Sequence, residues 1–120
     1  RLGIVERRFA ADDEQTSDLA AAAARRALAA AGLTVDDIDM IIVALGHGDV
    51  ISPATACYVQ EKLEAWRAVA FDIRAACAGF IVGLDLARSK KGRDDLLVVD
   101  EPGDLRQRRA ARPALPAATC

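Results

Sequence analysis

The sequence is short of cysteine, of net charge and of long apolar runs, and each shortage closes off a class of function. Its three cysteines, Cys57, Cys77 and Cys120, fall in no metal-ligand spacing. They cannot pair into an even disulfide framework either, which favours a reducing interior. A formal net charge of -2 and a pI near 5.3 give nucleic acid or an anionic membrane nothing to bind. No apolar run is long enough to span a bilayer and no signal-peptide pattern opens the chain, so a cytoplasmic location is expected. What is present is 120 residues, 52% hydrophobic and 28% charged. That is one domain's worth of globular protein with a modest core.

The richest stretch is Ala70-Phe71-Asp72-Ile73-Arg74-Ala75-Ala76-Cys77-Ala78-Gly79-Phe80. An apolar strand over 68–71 enters a small-residue turn, and a helix is predicted from about Cys77 until Gly92. A thiol in the first turn of a helix meets unpaired N–H groups and the positive end of the dipole. Those favour negative charge, and the thiolate is the nucleophilic form. The small neighbours Ala75, Ala76, Ala78 and Gly79 leave room for a substrate carbonyl to approach the sulfur. The competing reading is a buried structural cysteine at the head of a core helix.

The rest of the chain supplies a scaffold. Thr16 or Ser17 can cap an alanine-dense helix over 18–31, with Gly32 as its left-handed C-cap. Residues 40–45 are apolar without alternation, as in a parallel strand buried on both faces. The loop Gly46-His47-Gly48-Asp49 then sits at the carboxyl end of that strand, where ligands bind in open α/β sheets. His47 and Asp49 are too few for a metal site, and an acid–base role for His47 depends on geometry. Ser52 and Pro53 read as N-cap and N1 of a second helix reaching about Ala65, with Ala56, Val59 and Leu63 facing inward. Cys57 and Tyr58 read as packing residues in that helix. Trp66 marks a loop before a strand over 67–71. The helix after Cys77 is apolar on nearly every side, the mark of a buried one. A third strand is expected over 96–99, and the alternating order implies right-handed parallel crossovers.

Phe71-Asp72-Ile73-Arg74-Ala75-Ala76-Cys77-Ala78-Gly79-Phe80 resembles the active-site segment of ketoacyl-acyl-carrier-protein synthase III, a condensing enzyme of the thiolase superfamily. Three further segments fall in the family's order and spacing across residues 1–92: Gly3-Ile4-Val5-Glu6-Arg7-Arg8, Asp39-Met40-Ile41-Ile42-Val43-Ala44 and Pro53-Ala54-Thr55-Ala56-Cys57. The resemblance implies a thiolase-like α/β fold, a mainly parallel sheet with helices on both faces, present as an incomplete first half. It implies Cys77 as the nucleophile, acyl-CoA as substrate with no permanently bound cofactor, acyl carrier protein as partner, and a homodimer. Arg1 falls where the family carries an arginine that contacts coenzyme A, although the family's accompanying tryptophan is absent. Ser52 falls at a position near the dimer interface that in the family helps line the partner subunit's acyl pocket and can govern primer size, and its smallness implies a roomier pocket; an N-cap role explains it equally well. Leu45, Gly46 and His47 depart from the family's small hydroxyl residues. The family's catalytic histidine and asparagine match nothing here, and His47 is neither.

Residues 1–99 are thus expected to form a partial thiolase-like domain and residues 100–120 a divergent tail. That tail is rich in Arg, Ala and Pro and too poor in apolar residues to build a core, so it reads as disordered. Its cluster Arg106, Arg108, Arg109 and Arg112 has no aromatic stacking partner that would suggest nucleic acid. With no initiator methionine and a start that matches mid-protein, the chain reads as a fragment. Two rival readings come from other classes: an acyltransferase using Cys77 without condensation, and a non-enzymatic remnant.

Overall fold

Five consecutive apolar residues form the strand on which the other elements are laid, β1 (Met40–Ala44), buried along its whole length. A computed structural model describes residues 3, 5, 6, 9–89 and 95–99. In it β1 lies at the centre of a parallel sheet, between β2 (Val69–Ile73) and β3 (Asp95–Val99). On one side Met40 pairs with Val69 and Ala44 with Ile73; on the other, Met40 pairs with Asp95 and Ala44 with Val99. Such a strand has no side left for water, which is why its apolarity is continuous.

One face of the sheet carries α1 (Thr16–Ala31) and α2 (Thr55–Leu63). Ile41, Val43 and Leu45 share a core with Ala20, Ala21, Ala24 and Leu28 of α1 and with Ala56, Val59 and Leu63 of α2. Both helical sets recur at three- and four-residue spacing, and methyl side chains let the helices pack closely. Gly32 ends α1 as expected, with φ 69°: its N–H reaches Ala29 O at 3.3 Å, and Leu33 N–H reaches Leu28 O at 3.0 Å. The start of α1 differs from expectation. Gln15 is the N-cap, and its N–H donates to the Asp18 carboxylate at 2.9 Å, while Thr16 and Ser17 are buried. Lys62 of α2 pairs with Asp18, and Arg25 donates to the Lys62 carbonyl, which ties the two helices at their rim. The Lys62 ammonium, then the Gln15 N–H, hold the Asp18 carboxyl below its ordinary value.

The other face carries α3 (Gly79–Ser89), whose buried residues are Gly79 and Gly83, one turn apart. A Cβ on Gly79 would stand 3.1 Å from the Ala44 Cβ, so the helix rides almost backbone-to-strand there. With its glycines inward, α3 turns its apolar side chains out. Phe80, Ile81, Val82 and Leu84 are 42–70% exposed, which corrects the expectation of a buried helix. The connection from β1 to β2 crosses one face and that from β2 to β3 the opposite face in the opposite direction. Both crossovers therefore share one hand, as expected for parallel connections.

Boundaries also shift. The second helix spans Thr55–Leu63 rather than running from Pro53 to about Ala65, and the second strand spans Val69–Ile73 rather than 67–71. Residues 100–120 and Arg1 lie outside the described residues.

Gly48 closes the loop after β1. A Cβ there would stand 2.3 Å from Oγ1 of Thr55, which is fully buried and boxed in. Gly48→Ala is expected to lower stability by about 1–3 kcal/mol, the usual cost of overpacking, read as a lower urea midpoint. An unchanged midpoint would mean that the loop moves aside freely.

Candidate active site

The parallel strands β1 and β2 end on the same side, and the loops after them hold most of the candidate residues. Cys77 lies in a short 3-10 turn, Ala76–Ala78, that runs straight into α3, and its thiol is exposed. This removes the reading of Cys77 as a buried structural residue. It also corrects the helix start, since α3 begins at Gly79 and Cys77 precedes its first turn. Within the turn the Ala78 N–H donates to Ala75 O at 3.0 Å and the Gly79 N–H to Ala76 O. Ala76 holds φ 44°, in the left-handed region. For a residue with a Cβ that conformation costs on the order of 1–3 kcal/mol and persists only where the surroundings enforce it. The turn is closed by the Ala78 and Gly79 N–H bonds and leads directly into α3, whose first residue packs closely over Ala44 of β1.

Cys57 is half-buried in α2, with Tyr58 beside it, as packing residues are. Ser52 is exposed, flanked by the exposed Ile51 and Pro53. It is not the N-cap of α2, a position held by Ala54, so capping does not account for it. The reason is a carboxylate from elsewhere: Asp72 of β2 accepts the N–H of Thr55 and of Ala56, each at 2.8 Å. Asp49 does the same for α1, accepting the Ser17 N–H at 3.0 Å, while the Thr16 hydroxyl donates to the His47 carbonyl at 3.3 Å. The loop of residues 46–49 is thereby fastened to the start of α1, with the His47 ring left exposed. Among the described residues no three His, Cys, Asp or Glu side chains gather as metal ligands, and no helix is long and apolar enough to cross a membrane.

The capping role of neither carboxylate is expected from the sequence, where Asp49 stands out only beside His47 as a poor metal or acid–base candidate. Asp72 carried a signal all the same: it is the one charged residue in β2, and a charge beside a sheet needs a partner. Asp49 lay in a polar loop and carried none.

No protein-family model matches the chain. Curated relatives do. It is 55% identical over 85 residues to beta-ketoacyl-acyl-carrier-protein synthase III of Clostridium perfringens, a match covering 71% of this chain and 26% of that protein. The Caulobacter vibrioides protein of the same name is 54% identical over 87 residues, covering 72% and 27%. Among solved structures, the priming beta-ketosynthase of the R1128 polyketide pathway superposes with a TM-score of 0.76 at 36% identity, covering 82% of this chain and 31% of that one. The chain thus spans about a quarter of the length of the curated relatives it matches. Over the matched residues it is a homologue of the N-terminal part of beta-ketoacyl-acyl-carrier-protein synthase III and carries part of the thiolase-like fold of the condensing enzymes.

Proposed function

We propose that this chain is the nucleophile-bearing part of a ketoacyl synthase III, with residues 1–99 as the partial thiolase-like unit and residues 100–120 as a divergent tail. The observation that carries the proposal is an exposed Cys77 on a tight turn at the carboxyl end of β2, inside a homologous region. The Cys77 thiolate attacks the carbonyl carbon of an acyl-CoA thioester, the tetrahedral intermediate collapses, and the coenzyme A thiolate leaves. Malonyl-acyl carrier protein then loses carbon dioxide, and its carbanion attacks the new thioester and releases Cys77. Covalent catalysis divides one difficult acyl transfer into two easier ones. Ser52, exposed in the loop before α2, lines the acyl pocket of the partner subunit in this reading, and Arg1 contacts coenzyme A. The working protein is a cytoplasmic homodimer.

Condensation also calls for the histidine and asparagine that the resemblance implies, and His47 matches neither. Losing one oxyanion donor typically costs about a hundred- to a thousand-fold in rate, so the chain as given is inactive in condensation. Incubation with acetyl-CoA should add an acetyl mass to Cys77, absent in Cys77→Ala. No ketoacyl product should form above the Cys77→Ala background when malonyl-acyl carrier protein is supplied. Acetylation at Cys57 alone would overturn the assignment of the nucleophile. Product above background would overturn the claim of inactivity.

A further inference from the structure

Two neighbouring residues at the end of β1 hold both ends of the segment that carries Cys77. At its start the Leu45 N–H donates to the Ile73 carbonyl at 3.0 Å. At its end Gly79 lies over Ala44, so closely that a Cβ on Gly79 would stand 3.1 Å from the Ala44 Cβ and 3.8 Å from its Cα. Between them the Ala78 N–H donates to Ala75 O at 3.0 Å and the Gly79 N–H to Ala76 O, so Cys77 sits inside a closed turn whose last donor is Gly79 itself. Backbone freedom does not explain this glycine. Its φ of -54° and ψ of -40° are right-handed helical and open to any residue with a Cβ. Alanine at such a position stabilises a fold by restricting the unfolded chain. What glycine supplies here is the missing methyl, and Gly83, one turn on, is buried as well.

We propose that Gly79 is a positioning residue for the nucleophile: by letting α3 seat against Ala44, it sets how far the Cys77 turn stands from the end of β1. The inference rests on the reading of Cys77 as nucleophile and deepens it. Gly79→Ala forces the neighbour to give by a few tenths of an ångström. Because Leu45 holds the other end of the segment, the displacement falls on the turn between. Exchanging the two residues, Gly79→Ala together with Ala44→Gly, removes the crowding. The new methyl then meets only the Cα of residue 44, at 3.8 Å, an ordinary contact.

The test tags the thiols with bromotrifluoroacetone and follows them by fluorine NMR in the intact chain, in Gly79→Ala and in the exchanged pair. Cys57 is the internal reference, because α2 packs on the face of the sheet opposite Gly79 and Ala44. The Cys77 resonance, identified by its loss in Cys77→Ser, should shift in Gly79→Ala and return in the exchanged pair, with the Cys57 resonance fixed throughout. Acetyl transfer from acetyl-CoA to Cys77, read by mass, should follow the same order. A displacement of about 1 Å can cost roughly a hundredfold in rate, so a few tenths should slow transfer about threefold to fivefold, and the exchange should restore it to within about twofold. An unmoved Cys77 resonance in Gly79→Ala would overturn the proposal. So would a shift shared by Cys57, a shift that the exchange does not reverse, or a shift with no change in transfer rate. If Gly79→Ala does not fold, Ala44→Val, which crowds the same contact from the strand, is compared with the intact chain in the same way. A failure of the nucleophile reading is distinct, seen in the intact chain as no acetyl at Cys77; the resonances then decide the seating of the turn on their own.

Discussion

Ile41→Ala is expected to be among the most damaging single substitutions in this chain. Ile41 is wholly buried in β1, on the face packed by the alanines of α1 and by Val59 of α2. Small neighbours on regular helices cannot collapse into the space a lost side chain leaves. Removing a buried isoleucine side chain costs about 2–5 kcal/mol. Domains are held together by only about 5–15 kcal/mol in total, and among the described residues the hydrophobic cluster lies between one face of the sheet and the helices α1 and α2. The urea midpoint should fall steeply, or the chain should fail to fold at all. Ile81→Ala is the matched control: the same change on the exposed side of α3 should alter stability by no more than about 0.5 kcal/mol. Equal midpoints for the two variants would mean that the core has been misidentified.

That contrast between two isoleucines marks where sequence reading succeeds. The unbroken apolar run of β1, the inward spacing of Ala56, Val59 and Leu63, and the Gly32 cap were all legible, because each depends on neighbours a few residues away. The start of α2 was not. Ser52 and Pro53 carry the local chemistry of a helix N-terminus, but the helix begins two residues later, where Asp72 reaches its first N–H groups from another strand. A cap supplied across the fold leaves no trace beside the helix it caps.

The turn at Cys77 was half legible. Its small residues and the change from strand to helix are in the sequence, and so is the thiol. The left-handed backbone sits on Ala76, however, and an alanine gives no sign of it. The short 3-10 turn places Cys77 ahead of α3 instead of within its first turn, so the helix dipole acts on the sulfur from further away than expected. Exposure and the tightness of the turn now carry the case for a nucleophile. The burial of α3 was misread for a different reason. A helix apolar all round is buried only if enough chain exists to cover it, and here the buried side is made of glycine.

The outward face of α3 leads to the other large expected effect. Phe80 and Leu84 are one turn apart, and Ile81 and Leu84 are three residues apart, so these side chains form a continuous apolar strip. Contiguous exposed apolar patches larger than a few hundred Å² are rare on monomers and mark interaction surfaces. Burying it is worth roughly 25 cal/mol per Å². Added to this, β2 and β3 bound the sheet among the described residues, and an open strand edge templates pairing with other chains. The chain is therefore expected to self-associate, with sizing that shifts with concentration and strong fluorescence from a hydrophobic dye. Ile81→Lys combined with Leu84→Lys should remove most of the dye signal and move the population toward monomer. Because both side chains point away from the sheet, the urea midpoint should change little. A sharp monomer peak without dye binding in the unsubstituted chain would show that the strip is covered from within. Loss of folding in the double variant would show that the strip faces the core.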